Sequence, residues 1–344
     1  MTTAFFTDKH FAAHTQPGHP EHAGRLEAVV ALLQDTGTWQ RLAHLADVMP
    51  ATDEQILAVH TARYLKTLAA TANMQYGTYF GADTYLTPQS YNLARLAAGG
   101  TLAVVDAVLG GEAQNGIAAI RPPGHHATPQ TGMGFCLLSN IAMAARHALA
   151  RHGLQRVAIV DYDVHHGNGT QDCLYDDPRV LFISSHQAPL YPGTGAIGET
   201  GRSDGRGYTV NIPLPAATGD DAFATLYADF VRPILARYAP QLLLVSAGFD
   251  AHWVDPLAGL SLSLAGYDQL CRLMLQAADD VCEGKVIFVM EGGYDLQALS
   301  HGWLNIARRL LGDEALSDPL GLAPMAQDLP DGLLERLREQ HRLA

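Results

Sequence analysis

The sequence is poor in cysteine and has no long run of apolar residues. Its four cysteines lie far apart with no Cys-x-x-Cys pair, so a disulfide framework is not expected and the thiols predict a reducing, cytoplasmic environment. No stretch approaches the ~20 apolar residues of a membrane span. The first ten residues lack the basic and apolar regions of a secretory signal. We therefore expect a cytoplasmic protein without a membrane anchor.

Positive charge is also scarce. The chain has 22 Lys and Arg against 35 Asp and Glu, which gives a net charge of −13. Such a charge repels phosphate backbones, so a nucleic-acid partner is not expected. It favours neutral or cationic substrates.

What the chain does contain is a series of short apolar runs that alternate with helical patterns. The predicted strands are Ile117–Ile120, Val157–Val160, Val180–Ser184, Tyr208–Ile212, Leu242–Ser246 and Val286–Met290, with Ala4–Phe6 as a candidate edge strand. The predicted helices are Glu21–Leu33, Tyr91–Leu109, Asn140–His152, Asp220–Tyr238, Leu264–Cys282 and Leu296–Leu311. Apolar strands separated by helices predict an α/β fold, a mainly parallel sheet with helices on both faces.

The simplest division is a single domain over residues 1–344, because no linker or internal repeat interrupts the pattern. Its core spans about residues 4–312, and a charged helical tail covers about 313–344. Residues 73–90 contain glycine, proline and several aromatic side chains, which predicts a loop at a surface opening. Asp83 is the only acid in that loop, and it is either a turn residue or a carboxylate that holds substrate.

The stretch that follows the strand Val157–Val160 changes abruptly from apolar to polar. Asp161, Asp163 and His165 come at every second position. If the extended conformation persists, all three side chains lie on one side. The carboxyl end of a buried strand is where an open α/β sheet places its ligand crevice. Carboxylates and an imidazole there predict a metal site; the alternative is a solvated strand end.

Other predicted strands are also followed by polar residues. The pair His125 and His126 comes after Ile117–Ile120, and because neighbouring residues of a strand point apart, both can serve one site only from a turn. Asp250 and Tyr294 follow two further strands. Asp250 would join Asp163 and His165 as a third protein ligand, and three ligands with an open position are typical of a catalytic zinc-like site.

These residues resemble the motifs of the histone deacetylase superfamily, in particular its class II and bacterial members. The resemblance runs from about His19 to Tyr294. It is carried by His19-Pro-Glu21 with Arg25, Arg121-Pro-Pro-Gly-His-His126, Gly134-Phe-Cys136, Asp161-Tyr-Asp-Val-His-His-Gly-Asn168, Tyr191-Pro-Gly-Thr-Gly195, Ala247-Gly-Phe-Asp250 and Glu291-Gly-Gly-Tyr294. It implies the arginase/deacetylase fold, with the active site at the carboxyl ends of the strands.

The resemblance implies an amidohydrolase that removes acetyl or other acyl groups from lysine ε-amines with a metal-activated water. His126 would be the general base and then the acid toward the leaving amine. His125, paired with Asp161, would stabilise charge, and Asn168 would orient His126. Tyr294 would donate to the oxyanion, as a preorganised hydroxyl can.

The same resemblance implies three cation sites and a substrate tunnel. One catalytic Zn²⁺ would be bound by Asp163, His165 and Asp250. K⁺ or Na⁺ would be bound near Asp161, Asp163, His165, Ser184 and Ser185, and a second such ion near Leu174, Asp177, Val180 and Tyr208. The substrate-binding residues would be Phe135 and Tyr191 as walls, Gly134 through its carbonyl, Leu257 and Gly293 along the tunnel, Asp83 at the rim, and Arg25 at an inner pocket from which acetate leaves.

Three other functions share features with this sequence. An arginase-like dinuclear site needs carboxylates at two positions that hold Gly167 and His252 here, which argues against it. Acetylpolyamine amidohydrolases place an acid near the tunnel mouth, where Leu257 stands, although the acidic surface leaves small acetylated amines open as substrates. An inert acyl-lysine-binding module would be expected to lose a ligand, the His pair or the Tyr, and all are present. A homo-oligomer is compatible with the sequence.

Overall fold

An eight-stranded sheet forms the centre of the protein, seen in a computed structural model that describes residues 2–343. The strands are β1 (Thr3–Phe6), β2 (Ala43–His44), β3 (Thr78–Phe80), β4 (Thr84–Leu86), β5 (Asn115–Ala118), β6 (Val157–Asp161), β7 (Val180–Gln187), β8 (Thr209–Leu214), β9 (Leu243–Ala247) and β10 (Val286–Met290). The sheet order is β2-β1-β5-β10-β9-β6-β7-β8, and every pair in it is parallel. All carboxyl ends of its strands therefore meet at one edge.

Helices cover both faces of the sheet. They are α1 (Gly24–Asp35), α2 (Asp53–Leu57), α3 (Ala62–Ala70), α4 (Ser90–Leu109), α5 (Asn140–Arg151), α6 (Asn168–Leu174), α7 (Asp220–Leu226), α8 (Arg232–Tyr238), α9 (Leu264–Cys282), α10 (Leu296–Leu310) and α11 (Leu333–His341). In β5, the Asn115 side chain donates to Leu310 O of α10, whereas Gly116 faces Val104 of α4. Because successive strand residues point to opposite faces, α4 and α10 lie on opposite sides. The predicted α/β fold is thus confirmed.

The central strands β6, β9 and β10 are buried along their whole length, which explains why they read as apolar runs without alternation. Most element bounds agree with the sequence prediction to within a few residues. The single helix predicted over 220–238 is instead α7, a π-helical turn at Tyr227–Val231 and α8. Pro233 lies at the start of α8 and has no N–H to continue the regular α-helical ladder.

Two predictions about the amino-terminal half are wrong. The segment 73–90 is not all loop, because β3 and β4 form an antiparallel hairpin within it. Both strands are three residues long, too short for a clear alternating pattern. The candidate edge strand Ala4–Phe6 is an inner strand, since the two-residue β2 pairs with its outer side.

Helix α4 also departs from expectation. By length and composition alone it is apolar enough to cross a membrane, so the statement that no stretch reaches that length is too strong. Its most apolar window is 67% buried inside the fold, and its paired glycines explain the close packing. A Cβ on Gly100 would lie 1.9 Å from the Phe6 ring of β1. The apolar face of α4 is therefore covered by the sheet.

Candidate metal centre and active site

The polar residues after β6 are positioned by side chain-to-backbone hydrogen bonds. Asp161 is the last residue of β6, so the strand does not continue to His165. Instead, Asp161 Oδ1 accepts from Asp163 N at 3.0 Å, and Asp163 Oδ1 accepts from His165 N at 3.0 Å. These are two successive turns of the kind that Asp side chains make with the backbone two residues on. The expected extension of the strand is wrong, and the turns place these side chains.

Asp163, His165 and Asp250 bring their donor atoms together at this edge of the sheet. Asp250 follows β9, which pairs directly with β6. One ligand atom from each residue lies within 4.8 Å of the other two. His165 Nδ1 is 3.2 Å from Asp163 Oδ1 and 3.3 Å from Asp250 Oδ2. The three residues proposed as metal ligands therefore form one cluster, and two of them are fully buried.

Backbone groups hold both carboxylates in place. Val164 N donates to Asp250 Oδ1 at 2.9 Å, and Gly292 N donates to Asp163 Oδ2 at 2.8 Å. A Cβ on Gly292 would lie 2.1 Å from Asp250 Oδ2, so no other residue type fits beside the cluster. Sequence reasoning missed the role of Gly292, although the Gly-Gly pair before Tyr294 was its signal.

The cluster carries excess buried negative charge. Burial and the neighbouring Asp163 raise the pKa of Asp250. Burial opposes ionisation of Asp163 too, but His125 and His165 outweigh it and lower the pKa of Asp163 below its ordinary value. Burial likewise disfavours a charged His165, yet the carboxylates of Asp163 and Asp250 beside it raise its pKa to about 10. A cation bound between the two carboxylates would therefore be stabilised by their charge.

One buried atom tests whether these residues fit a metal. Asp250 Oδ2 has no hydrogen-bond partner of suitable geometry, although His165 Nδ1 lies 3.3 Å away. A buried carboxylate oxygen left without a partner is costly. Two carboxylates and an imidazole are a donor set that zinc accepts, with room for a further ligand. The residues present therefore fit a Zn²⁺-type ion.

The adjacent histidines reach the site from a turn, as expected. His125 Nδ1 is 3.1 Å from Asp161 Oδ2, and His126 Nδ1 is 2.7 Å from Asn168 Oδ1. Their ring centroids are 4.0 Å apart. Glu291 fixes the turn, because its Oε2 accepts from His125 N at 3.1 Å. Within the described residues His126 Nε2 makes no hydrogen bond, so that nitrogen remains available to a substrate.

The two histidines hold their protons differently. Burial lowers the pKa of His125, but Asp163 and Asp161 outweigh it and raise the pKa well above the ordinary value. The pKa of His126 is lowered by burial, and then by the positive charges of His125 and His165. At neutral pH His125 is therefore an imidazolium and His126 a neutral imidazole. Groups whose pKa values are pushed apart are suited to different roles, and His126 is the one that can accept a proton.

Tyr294 is held beside the cluster through its backbone and its ring. Tyr294 N donates to Asp255 Oδ2 at 2.7 Å. The Arg25 guanidinium lies 5.0 Å from the centroid of the Tyr294 ring and donates to Gly293 O and Glu291 O at 2.7 and 2.6 Å. Burial raises the pKa of Tyr294, so its hydroxyl stays protonated. Arg25, expected at an inner pocket, lies buried beneath this loop.

Phe135 and Tyr191, the aromatic residues expected to form the walls of a tunnel, lie on different sides of the site. The centroid of Tyr191 is 5.2 Å from that of His126, and the centroid of Phe135 is 5.7 Å from that of Tyr294. A Cβ on Gly134 would lie 2.4 Å from the His126 ring and 3.0 Å from Tyr191. Glycine at 134 therefore lets the backbone approach the catalytic imidazole.

The rim residues lie farther out. Asp83 lies at the turn of the β3–β4 hairpin, where its Oδ1 accepts from Thr84 Oγ1 at 2.9 Å. Burial raises the pKa of Tyr191, and the negative charge of Asp83 raises it further. Leu257 is partly buried, and its N–H donates to Asp255 Oδ1 at 2.9 Å. Asp255 thus links Leu257 to the backbone of Tyr294.

Of the residues proposed for the first monovalent cation, Asp161, Asp163, Ser184 and Ser185 are buried, whereas His165 is partly exposed. Ser184 pairs with Asp161 across β6 and β7. The hydroxyls of Ser184 and Ser185 are already used, since they lie 3.0 Å from His186 Nδ1 and 2.8 Å from Tyr227 OH respectively. An ion here would therefore rely on backbone and carboxylate oxygens.

At the second proposed monovalent site, backbone carbonyl oxygens would bind the ion. Asp177 N donates to Leu174 O at 3.0 Å, and Val180 N donates to Asp177 O at 3.2 Å. Tyr208 O accepts from Phe182 N at 2.9 Å. Each carbonyl keeps a second lone pair for a cation, so the ion remains a prediction that the geometry permits.

A model of the histone deacetylase domain family matches residues 19–310. The chain belongs to this family. It is 40% identical over 319 residues to histone deacetylase 14, chloroplastic, of Arabidopsis thaliana, covering 88% of this chain and 75% of the relative. It is 41% identical over 305 residues to a histone deacetylase-like amidohydrolase of Pseudomonas aeruginosa, covering 88% and 80%. The crystal structure of the HDA15 HD domain superposes with a TM-score of 0.89 at 34% identity, covering 99% and 96%.

Membership of the histone deacetylase family confirms the resemblance seen in the sequence and makes the chain a hydrolase that acts on amide bonds. The arginase-like alternative finds no support. A Cβ at Gly167 would lie 2.3 Å from Asp161 Oδ2, so no larger side chain fits there. His252 is in none of the three-residue metal-binding groups found in residues 2–343.

Several buried residues of this site had no role predicted from sequence, although Glu291, Glu21 and Arg121 belong to the motifs that carry the resemblance. Glu291 and Asp255 are buried carboxylates that accept backbone N–H groups of the catalytic loops. Beneath them, Glu21 Oε2 accepts from Arg121 and from Tyr85 OH at 2.9 and 3.0 Å. The partners are far apart in the chain, so no local pattern predicts them.

Replacing Asn168 by aspartate is expected to move the acidic limb of the kcat/KM–pH profile to higher pH by about one unit or more. A general base acts when deprotonated, so if His126 has the expected role, activity falls as the pH drops through its pKa. A carboxylate 2.7 Å from Nδ1 would favour the imidazolium and raise that pKa. An Asn168→Ala control adds no charge and should not raise it. A profile unchanged in Asn168→Asp would contradict the neutral-amide interpretation.

Proposed function

We propose that this chain is a zinc-dependent lysine deacylase that removes acetyl or related acyl groups from lysine ε-amines. The observation that carries the proposal is the convergence of a metal-type cluster with a neutral His126 and a protonated Tyr294 at one edge of the sheet. Nucleophile activation and oxyanion stabilisation need these groups side by side.

Asp163, His165 and Asp250 would hold the Zn²⁺. When bound, zinc lowers the pKa of water and polarises an amide carbonyl. The protein keeps both carboxylates fixed through the N–H groups of Val164 and Gly292, so little reorganisation is needed on binding.

The proton transfers fall to His126. Its free Nε2 accepts a proton from the attacking water, while Asn168 Oδ1 holds Nδ1–H in the matching tautomer. The same nitrogen then gives the proton to the amine nitrogen as the amide C–N bond breaks. His125 remains charged against Asp161, and the Tyr294 hydroxyl donates to the oxygen of the tetrahedral intermediate.

The entrance supports acyl-lysine as the substrate. The rings of Phe135 and Tyr191 supply apolar walls for an aliphatic chain, and Gly134 offers a carbonyl within the passage. Asp83 places a carboxylate acceptor near the rim, where backbone N–H groups of a peptide would pass. Leu257 offers no charge to a distant ammonium.

A small acetylated amine is the second candidate, favoured by the net charge of −13. The test measures kcat/KM for an acetyl-lysine peptide and for acetylspermidine with one preparation. We expect the peptide to be preferred, and Leu257→Glu to shift the ratio toward acetylspermidine, with Leu257→Gln as the uncharged control. Preference of the unaltered enzyme for acetylspermidine would overturn the lysine assignment.

Cellular setting and structural ions are further parts of the proposal. Cys136, Cys173, Cys271 and Cys282 are all buried free thiols, which supports a reducing, cytoplasmic location. K⁺ or Na⁺ at the two oxygen-rich sites would offset buried negative charge near β6 and β7. A homo-oligomer is compatible with these assignments, and none of them requires a nucleic acid or a membrane.

A further inference from the structure

A second cluster of metal-type side chains lies away from the active site, where α4 and α5 end. Asp106 lies in the last turn of α4, His147 lies in α5, and His152 is the C-cap residue of α5. Both imidazoles point at the same carboxylate oxygen: His147 Nε2 is 2.7 Å and His152 Nε2 is 2.6 Å from Asp106 Oδ1. The three donor atoms lie within 4.8 Å of one another.

We propose that Asp106, His147 and His152 form a binding site for a borderline divalent transition metal such as Zn²⁺ or Ni²⁺, separate from the catalytic centre. Two imidazole nitrogens and one carboxylate oxygen suit these ions better than they suit Mg²⁺ or Ca²⁺. Metal–ligand bonds of about 2.0–2.1 Å in a tetrahedral site place ligand atoms roughly 3.3 Å apart. To make room for such an ion, the two Nε2 atoms need to move away from Asp106 Oδ1 by only a fraction of an ångström.

The surroundings favour a cation. Two helices end here, and helix C-termini carry partial negative charge that attracts positive ions. The Asp106 carboxylate lies between the two imidazoles, with its Oδ1 within 2.7 Å of both Nε2 atoms. The site therefore offers a full negative charge and two oriented helix ends.

The scaffold is rigid, and the site is open. Helices α4 and α5 pack tightly against one another, so the ligands do not have to be brought together from distant positions. The side chain of Asp106 is 50% exposed and those of His147 and His152 are 11% and 20% exposed, which leaves an entry path and room for water ligands. Helix α5 runs about 18 Å from Asn140, near the catalytic loop, to this end.

The test uses enzyme that holds one equivalent of Zn²⁺ per chain, with excess zinc removed, and titrates it with Ni²⁺ by calorimetry at pH 7.5. We expect about one equivalent of Ni²⁺ to bind and the Tm to rise, since an ion bound only to the folded state stabilises it. In His147→Gln/His152→Gln that equivalent should be lost, or its Kd weakened by at least ~10-fold, with kcat unchanged. The Tm rise should be absent as well.

His10→Gln is the matched control, because His10 pairs with Asp8 at 2.7 Å but has no second imidazole beside it. This variant should bind Ni²⁺ as the unaltered enzyme does. Equal Ni²⁺ binding by the unaltered enzyme and by the double variant would overturn the proposal, as would no binding to either. A large loss of kcat in the double variant would also overturn it, because the site would then not be separate from the catalytic centre.

Discussion

Replacing Asp250 with alanine is expected to leave the protein folded but to remove the zinc of the catalytic centre, about one equivalent per chain, and with it the release of acetate. The substitution removes one of three ligand side chains and the acceptor of Val164 N. Loss of an outer-shell partner alone weakens metal binding by ~10–100-fold, and loss of a direct ligand should cost more. Elemental analysis of the purified variant and an acetate-release assay measure the two effects.

Asp250→Asn is the matched control, since it keeps the size of the side chain and the acceptor for Val164 N but removes the charge. It should retain the fold and lose most of the zinc. If Asp250→Ala bound zinc and released acetate as well as the unaltered enzyme, Asp250 would not be a ligand.

Tyr294→Phe is expected to lower kcat by ~10²–10³-fold, the usual effect of losing one oxyanion donor. The ring, its contact with Arg25 and the backbone bond to Asp255 all remain. Zinc content and KM should therefore change little, because the hydroxyl acts mainly when charge develops on the oxygen.

The other tyrosine of the site provides the control. Tyr191→Phe removes a hydroxyl from the tunnel wall and keeps the ring that lies 5.2 Å from His126, so kcat should stay within a few-fold of the original. An equal loss of kcat in Tyr191→Phe and Tyr294→Phe would contradict the role of Tyr294 as the oxyanion donor.

The fold was predictable because strands that are buried on both faces of a sheet appear in the sequence as continuous apolar runs. Strand β10 is wholly apolar, and β6 and β9 are apolar up to Asp161 and Ser246 near their carboxyl ends. Parallel pairing puts all carboxyl ends at one edge. Polar residues after three such strands, including Asp163, Asp250 and Tyr294, could therefore be placed near one another before the structure was known.

The local geometry was not predictable in the same way. The Asp163 and His165 side chains are set by turns that end β6 early, whereas the alternating spacing suggested a longer strand. Glycine is required at 292 because a Cβ there would lie 2.1 Å from Asp250 Oδ2, and Asp255 holds Tyr294 from another loop. Such contacts join distant segments and have no periodic signature.

The most direct measurement is acetate release from an acetyl-lysine peptide before chelation, after chelation and after return of Zn²⁺. We expect chelation to abolish acetate release and Zn²⁺ to restore it in the unaltered enzyme, but not in Asp250→Ala. Full activity in the metal-free protein would contradict the assignment of Asp163, His165 and Asp250 as the catalytic metal site.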